Sequence, residues 1–447
     1  MQLDRYLARL IGLRPRLRLP RRGLVAYLTA MGPGLIAASA GNDAGGIVIY
    51  AQAGAAYGHR LLWAFVVMGI SLIVIQEMCA RMGAVTGKGL SDLIREQFGV
   101  RWAVLAMLGL LVANAAITVS EFVGINAAAR IIAGEPALRG TTLGALLPYA
   151  VVPLSAFGLW WLVTRQAREP VERVLLLLTL VFFAYIPAAL IGEHHWDAVV
   201  RAVVTPSLGG THDTGFVPFL IALIGTTISP FMQFFLQSAV VEKGVRPRDY
   251  HYTRVEVVAS SVFAILIAMF IAIATAAALF GKPGAAAFTN AGAFATALRG
   301  VLGPWAETLF AVGLFGASLL AAAVLPLSTA FAVCEVFGFE SGVDKSFAAA
   351  PVFNGIFTGL IALSAAVAVV VPADAIVAVL IRLQVINGVV LALELLFVLR
   401  LVNNRRLMGR YTNGVAFNAI AWATTGVLIL LSALLIGGAL GIGPATA

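Results

Sequence analysis

The amino-acid sequence predicts an all-helical protein that crosses a membrane many times. Of its 447 residues, 61% are hydrophobic and only 11% are charged, whereas soluble domains contain about 25% charged residues. The apolar segments are long and recur along the chain, and continuous apolar runs of about 20 residues are typical of transmembrane helices. Strands of a membrane barrel would alternate apolar and polar residues instead. The composition therefore excludes a soluble enzyme and a nucleic-acid-binding module, although the net charge is +9.

Eleven apolar segments are long enough to be membrane spans. They are predicted near residues 28–56, 61–83, 103–131, 144–164, 173–192, 216–241, 257–280, 304–334, 351–371, 375–400 and 417–440. With a cytoplasmic N-terminus, 23 of the 30 Lys and Arg residues fall inside, six fall outside, and Arg382 lies within a span. This asymmetry follows the positive-inside rule. The sequence thus predicts a multi-pass protein of the plasma or inner membrane, with a cytoplasmic N-terminus and an extracytoplasmic C-terminus.

Two of the spans contain residues that interrupt helices near the middle. Residues 41–46 of the first span read Gly-Asn-Asp-Ala-Gly-Gly, and residues 225–230 of the sixth read Gly-Thr-Thr-Ile-Ser-Pro. Broken helices at corresponding positions of two halves indicate a transporter with inverted repeats and a site at the membrane midplane. The predicted organisation follows from this repeat: a basic tail (1–27), a first five-helix repeat (28–192), a second five-helix repeat (193–400), and a loop with the eleventh helix (401–447).

Asp43 is the central candidate for a functional side chain. A carboxylate near the middle of a membrane is costly, so it needs a partner or a function. Glycines on both sides of it let the helix unwind, which frees backbone carbonyl groups. A carboxylate surrounded by carbonyl oxygens suits a hard cation. The structural alternative is that Asp43 caps a helix end or pairs with Arg382.

Short motifs spread over the first ten spans resemble a known family. They are Gly32-Pro33-Gly34, the turn at Asp43, Gln52-Ala53-Gly54-Ala55, Gln76, Val85-Thr86-Gly87-Lys88, Ser120-Glu121-Phe122-Val123-Gly124, Ser238-Ala239 and Gln384-Val385. Together they resemble the Nramp family of divalent metal transporters, most specifically over residues 32–100. The resemblance implies a LeuT-like fold with discontinuous first and sixth helices. It also implies that metal ions are transported substrates.

Several positions depart from the pattern of that family. In the family the first break reads Asp-Pro-Gly-Asn and both its Asp and its Asn bind metal, whereas here Asp43 is kept and Gly46 stands at the Asn position. The sixth span of the family carries a methionine whose sulfur favours transition metals, and here Ser229 replaces it. The family's later histidine of that span falls near Gln237. In the third span the acidic residue of the proton path aligns with Thr118.

The departures point in one chemical direction, towards a harder and more hydrated ion. Loss of a thioether removes a soft ligand, and a shortened side chain leaves room for retained water, which Mg²⁺ gives up reluctantly. The pattern resembles the Nramp-related magnesium transporters, a branch that also passes Mn²⁺ and is not proton-coupled. The sequence therefore predicts a secondary transporter of Mg²⁺, and also of Mn²⁺, that works by alternating access. A proton-coupled Mn²⁺/Fe²⁺ importer and a LeuT-fold transporter of an organic substrate remain the alternatives.

The candidate site residues flank the two breaks or match family positions. The predicted metal site comprises Asp43, Gly46, Thr226, Ser229, Gln233, Gln237 and Gln384, and the predicted coupling or gating residues are Glu121, Thr118, Arg382 and Asn42. Gln233 and Gln237 share a helix face because they are four residues apart, and hydrogen bonding between helices is their structural alternative. Glu121 is either a proton acceptor or a structural partner. We expect Arg382 to pair with a carboxylate such as Glu121 or Glu307 or to lie near the outer mouth, and a built-in positive charge that replaces proton or sodium coupling is the further alternative.

Motifs of enzymes are not found in the sequence. It contains no phosphate-binding glycine loop, nucleophile triad or metalloprotease motif, so we expect neither an enzyme nor a cofactor. The expected partners are divalent cations and the lipid bilayer, without nucleic acid. No segment indicates an obligatory protein partner, and the sequence is compatible with a monomer.

Overall fold

All regular secondary structure in the described part of the chain is helical. The structure is a computed structural model, and it describes residues 32–134, 138, 140–165, 168–192, 195–207, 216–282, 299, 303, 305–370 and 376–439. The predicted basic tail at residues 1–27 lies outside these ranges.

The described residues contain seventeen α-helices. They are α1 (Pro33–Ala40), α2 (Ala44–Tyr57), α3 (Leu62–Thr86), α4 (Leu90–Phe98), α5 (Val100–Ala133), α6 (Thr142–Arg165), α7 (Arg168–Thr179), α8 (Tyr185–Gly192), α9 (Trp196–Val204), α10 (Phe216–Thr227), α11 (Pro230–Glu242), α12 (Tyr250–Leu279), α13 (Trp305–Phe337), α14 (Pro351–Val370), α15 (Ile376–Val402), α16 (Arg405–Met408) and α17 (Val415–Ala439). A 3₁₀ segment, Leu180–Ala184, joins α7 to α8 within one span. Ten spans in the described ranges are long and apolar enough to cross a membrane, and the pair α1–α2 supplies the broken first span.

The first break separates α1 from α2 at the predicted position. Pro33 lies at the start of α1, where its missing N–H costs no helical hydrogen bond. After α1 ends, Asp43 adopts an extended conformation (φ −69°, ψ 179°) and becomes the N-cap of α2. Its side chain accepts a hydrogen bond from the Gly46 N–H, as is typical of an N-cap aspartate. The break is therefore a specific capping structure that the sequence encodes locally.

The second break also consists of an extended residue between two helices. Ser229 is extended (φ −71°, ψ 142°) between α10 and α11, and Pro230 begins α11. The residue before a proline avoids the helical conformation, which explains why the helix is interrupted at Ser229. Both discontinuous helices that the sequence predicts are thus present.

Close backbone packing brings the two broken helices together at the centre. α1 packs against α11, α2 packs against α10, and α12 packs against both α1 and α2. α10 and α15 approach closely at a glycine pair, since a Cβ atom added to Gly225 would lie 2.6 Å from the Gly388 nitrogen. α6 and α17 lie at the periphery with apolar side chains exposed, among them Tyr149 and Leu154 on α6. The two breaks are therefore surrounded by the other helices.

Two buried carboxylates accept hydrogen bonds from helix N-termini at the end of the bundle where α1 begins. Glu256 of α12 accepts hydrogen bonds from the backbone N–H groups of Gly32 (2.7 Å), Gly34 (2.9 Å) and Leu35 (3.3 Å). It thereby satisfies the donors that the first turn of α1 leaves free. Glu335 of α13 does the same for α4, accepting from the Ser91 N–H at 3.2 Å.

We expect Glu256→Ala to lower the thermal stability of the purified protein. The variant leaves three N–H groups without this acceptor, two of them buried, and one unsatisfied buried group costs about 1–3 kcal/mol. Thermal unfolding in detergent, followed by intrinsic fluorescence, measures the effect. The matched control is Glu340→Ala, because Glu340 is an exposed carboxylate paired with Lys345. Equal melting temperatures for the two variants would contradict the capping role of Glu256.

Candidate metal site

Asp43 is fully buried at the first break, and only one of its two carboxylate oxygens accepts a hydrogen bond. Oδ1 accepts the Gly46 N–H at 2.5 Å. Oδ2 is buried and makes no hydrogen bond with the described residues. A carboxylate oxygen without a donor inside a membrane protein is costly unless a cation binds it. This oxygen is the strongest candidate for direct contact with a transported ion.

A second carboxylate reaches the same helix end from α5. Glu121 is fully buried, and its Oε2 accepts the Ala44 N–H at 3.0 Å. Ala44 directly follows Asp43, so both carboxylates lie at the N-terminus of α2. The helix dipole and the free N–H groups there favour negative charge. From the sequence, Glu121 is either a proton acceptor or a structural partner. In the structure its carboxylate caps the N-terminus of α2.

Three oxygen atoms converge on the space beside Gly46. A Cβ atom added to Gly46 would lie 2.9 Å from the Gly41 carbonyl oxygen, 3.1 Å from Thr226 Oγ1 and 3.2 Å from Asp43 Oδ1. Thr226 Oγ1 is buried and has no hydrogen-bond partner in the described structure. Contacts this short are tighter than most that real Cβ atoms make, so the three oxygens pack closely around the Gly46 backbone. The absence of a side chain at Gly46 therefore lets these three oxygen atoms gather at the first break, next to Asp43.

Gln384 of α15 approaches the site from the other side of the break. Its amide nitrogen lies 2.5 Å from the position that a Cβ atom on Gly45 would occupy. The amide oxygen accepts a hydrogen bond from Asn387 Nδ2 at 2.9 Å, whereas the amide nitrogen is buried without an acceptor. Gln384 therefore directs an uncommitted donor towards the residues around Asp43, which suits hydrogen bonding to water on an ion.

Ser229 and Gln233 lie at the second break with their polar groups turned towards the backbone. The Ser229 hydroxyl donates to the carbonyl oxygens of Gly225 (2.8 Å) and Thr226 (3.0 Å). With its amide oriented so that the nitrogen faces acceptors, Gln233 donates to the Ser229 carbonyl at 2.5 Å. Both side chains stabilise the interruption, and the Ser229 oxygen retains lone pairs for a ligand.

Several predicted residues hydrogen-bond to backbone carbonyl groups of other segments or of their own helix. Gln237 donates to the Lys88 carbonyl at 3.0 Å, in the turn before α4. The Asn42 amide donates to the Ala264 carbonyl of α12 at 3.2 Å. The Thr118 hydroxyl donates to the Asn114 carbonyl of its own helix at 2.6 Å. Arg382 lies on α15, but its side chain is outside the described part of the structure.

Two neighbours of the site had no predicted role. Gly41 contributes a backbone carbonyl, a group that no side-chain pattern identifies. Met232, three residues beyond Ser229, is fully buried with its thioether against Gly41. A buried methionine in an apolar span is indistinguishable by sequence from ordinary packing.

The donor set has a consistent chemical character. The buried atoms around the break are carboxylate, hydroxyl, carbonyl and amide groups, which prefer hard cations. Among the described residues, no group of three or more His, Cys, Asp or Glu side chains is arranged to hold a metal. A site made of one or two carboxylates and neutral oxygens suits an ion that binds and dissociates readily.

Comparison with known proteins identifies the family of the chain. Residues 34–437 match the sequence profile described as natural resistance-associated macrophage protein-like, or Nramp. The chain belongs to the Nramp family. It is 27% identical over 433 residues to the divalent metal cation transporter MntH of Burkholderia ambifaria, covering 93% of this chain and 90% of the relative. It is 31% identical over 303 residues to MntH of Yersinia pestis, covering 65% and 69%.

Solved structures confirm the fold of this Nramp protein. A manganese transporter of Eremococcus coleocola, crystallised as a variant, superimposes with a TM-score of 0.72 at 17% sequence identity. The match covers 96% of this chain and 92% of the other. A complex of the same transporter with an aromatic bis-isothiourea compound gives 0.71. The predicted LeuT-like fold, with its two discontinuous helices, is therefore confirmed.

Proposed function

We propose that this Nramp protein moves divalent metal cations across the membrane by alternating access, with Mg²⁺ as the preferred ion and Mn²⁺ as a further substrate. The ion travels partly hydrated, and transport is not coupled to protons. The observation that carries the proposal is the group of three oxygens around Gly46, next to the uncommitted Oδ2 of Asp43. The names of the curated relatives support a divalent cation as the substrate.

Hydration of the ion supports Mg²⁺ as the preferred substrate. Mg²⁺ requires close octahedral coordination and usually keeps several waters, bound through one or two carboxylates. With glycine at position 46, oxygen atoms of Gly41, Thr226 and Asp43 gather at the break, where they can hydrogen-bond to the waters that the ion keeps. An asparagine at this position would offer an amide oxygen as a direct ligand in place of such a water. The glycine thus favours an ion that keeps its hydration shell.

We propose further that the protein lies in the plasma or inner membrane with its N-terminus in the cytoplasm. The distribution of Lys and Arg, 23 inside and six outside, supports this orientation. The repeats proposed at residues 28–192 and 193–400 place the two breaks in equivalent spans. In this orientation Glu256 holds the cytoplasmic end of α1 in place.

Ion uptake into proteoliposomes tests the proposed function. We expect saturable uptake of Mg²⁺ and of Mn²⁺, measured separately, and competitive inhibition of Mn²⁺ uptake by Mg²⁺. Liposomes with the Asp43→Ala variant serve as the control for leakage. Mn²⁺ uptake that excess Mg²⁺ leaves unchanged would contradict a shared site that prefers hydrated ions.

A proton-coupled Mn²⁺ importer is the second candidate function. The observation in its favour is Glu121, a buried carboxylate that accepts a hydrogen bond from the N–H of Ala44, the residue directly after Asp43. Two carboxylates at one helix end can share a proton, which an arriving cation would displace. Acidification of the lumen during Mn²⁺ uptake, abolished by Glu121→Gln, would favour this candidate.

A sulfur atom introduced at Ser229 should change the ion preference. We expect Ser229→Met to raise Cd²⁺ and Mn²⁺ uptake relative to Mg²⁺, because a thioether adds a soft ligand beside the Thr226 carbonyl. Ser229→Leu is the matched control, since leucine has a similar volume and no sulfur. Identical ion ratios in the two variants would place residue 229 outside the site.

A further inference from the structure

A cavity of about 510 Å³ lies at the end of the bundle opposite to the start of α1. Tyr57, the last residue of α2, is part of its wall, together with Arg60, Arg201, Thr205 and Ser207. The side chains of Arg60, Arg201 and Thr205 are exposed, so the cavity opens to the surface of the protein. We call it the outer basic cavity, because this end is extracytoplasmic in the orientation proposed above.

Two guanidinium groups give this cavity its positive charge. Arg60 lies in the turn between α2 and α3, and Arg201 lies on α9. Only six of the 30 Lys and Arg residues fall on the extracytoplasmic side, and two of these six meet here. The positive-inside rule concerns cytoplasmic loops and does not explain this concentration of charge. The cavity therefore suits an anionic ligand.

The polar groups of the cavity suit a phosphate group in particular. The planar guanidinium group of arginine donates two parallel hydrogen bonds to phosphate oxygens, and the Thr205 hydroxyl is a further donor in the wall. The described wall residues include no carboxylate. Asp197 pairs with Arg201 from the preceding turn of α9, but an exposed ion pair of this kind contributes little free energy. Arg201 can therefore bind a ligand in its place.

Aromatic and apolar side chains place the cavity at the level of the membrane surface. The indole of Trp63 donates to the Ser207 carbonyl in the cavity wall at 3.1 Å, and Trp and Tyr concentrate at membrane–water interfaces. On α9, Val200 and Val204 are exposed, as in amphipathic helices that lie in the interface. The anion that meets this cavity most readily is therefore a lipid headgroup.

An apolar face of α3 leads from the cavity towards the membrane interior. Val67 and Ile70 follow Trp63 by four and seven residues, so the three side chains share one face of the helix. Val67 is 53% exposed and Ile70 is 47% exposed. This face offers an acyl chain a surface to lie on, which a free anion would not use.

We propose that the outer basic cavity binds a phosphate group, and that an anionic phospholipid of the outer leaflet carries it. Arg60 and Arg201 hold the phosphate, and an acyl chain lies along the α3 face that contains Val67 and Ile70. The bound lipid joins α9 to the turn between α2 and α3 and stabilises this end of the bundle. The inference does not depend on which cation the protein transports.

Binding of defined lipids to the purified full-length protein in detergent tests the proposal. Native mass spectrometry counts bound lipids and gives their affinities, and thermal unfolding measures the stabilisation. Phosphatidylglycerol is compared with diacylglycerol of the same acyl chains, which lacks the phosphate, and with inorganic phosphate, which lacks the chains. We expect phosphatidylglycerol alone to bind and to raise the melting temperature. Equal binding of diacylglycerol, or equal stabilisation by inorganic phosphate, would overturn the proposal.

Two arginine variants locate the site. We expect Arg60→Gln and Arg201→Gln each to weaken phosphatidylglycerol binding about tenfold, because each removes hydrogen bonds to a charged group. Both side chains are exposed, so the melting temperatures without added lipid stay at the wild-type value. Arg130→Gln is the matched control, since Arg130 is an exposed arginine in the last turn of α5 and outside the cavity wall. Wild-type affinity in the double variant, or the same loss in Arg130→Gln, would contradict the assignment.

Discussion

Asp43→Asn abolishes divalent-cation uptake, with a loss of at least about 100-fold, the upper end of what losing one group that supports a metal costs. Asparagine and aspartate are equally good N-cap residues, so the hydrogen bond to the Gly46 N–H and the start of α2 persist. What disappears is the negative charge and the uncommitted carboxylate oxygen. Uptake of Mg²⁺ and Mn²⁺ into proteoliposomes measures the loss.

The control for this variant is another aspartate that loses its charge. Asp197→Asn on α9 changes an exposed carboxylate that pairs with Arg201, and uptake stays at the wild-type level. Thermal unfolding of Asp43→Asn in detergent shows whether the fold is retained. If folded Asp43→Asn protein still transports either ion at more than about a tenth of the wild-type rate, Asp43 does not bind the ion directly.

Gly46→Ala decreases Mg²⁺ uptake by roughly tenfold or more and affects Mn²⁺ uptake less. The added methyl group occupies the point that lies 2.9–3.2 Å from Gly41 O, Thr226 Oγ1 and Asp43 Oδ1. It pushes these three oxygens apart and so disturbs their hydrogen bonds to the waters of the ion. The loss of one supporting group in a metal site costs about 10–100-fold, and Mg²⁺ depends most on retained water. Separate initial rates for the two ions provide the measurement.

Two further glycine variants separate this effect from a general loss of flexibility. Gly158→Ala on α6 places its methyl group in open space, with nothing within 4 Å, and we expect wild-type rates. Gly46→Asn introduces an oxygen ligand in place of water, so Mn²⁺ uptake rises relative to Mg²⁺. Equal losses of both ions in Gly46→Ala would argue that the methyl group only distorts α2.

The positions of the two breaks could be predicted because their cause is local. Asp43 with its neighbouring glycines, and Ser229 before Pro230, interrupt a helix by capping and by the geometry of proline. The predicted spans follow from the pattern of long apolar segments with two interruptions, and the LeuT-like fold was implied by the resemblance to the Nramp family. The span ends differ from the prediction by up to seven residues, since α12 begins at Tyr250 instead of residue 257, and the short helices α4 and α9 between spans were not predicted.

The partners of the site residues could not be predicted because they depend on packing between distant segments. Glu121 reaches the Ala44 N–H across 77 residues of sequence. Gln237 shares a helix face with Gln233, yet it hydrogen-bonds to Lys88 in the turn before α4. Asn42 is adjacent to Asp43, but the turn at the break points its amide towards α12. Spacing along one helix does not determine which neighbour that helix faces.

Some contributors carry no recognisable sequence pattern at all. The Gly41 carbonyl belongs to the backbone, and the Met232 thioether is typical of any apolar core. Glu256 is one carboxylate in an apolar span, and only the structure shows that it caps the first turn of α1. The residue types were visible in the sequence, whereas their acceptors and donors were not.

Simultaneous recording of Mg²⁺ and pH inside proteoliposomes tests the central claim most directly. Wild-type protein is reconstituted with a magnesium dye and a pH dye in the lumen, and an inward Mg²⁺ gradient is applied at constant external pH. We expect saturable entry of Mg²⁺ without acidification, and no entry with Asp43→Asn. Absence of Mg²⁺ entry, together with Mn²⁺ entry that acidifies the lumen, would contradict this account and indicate a proton-coupled transporter.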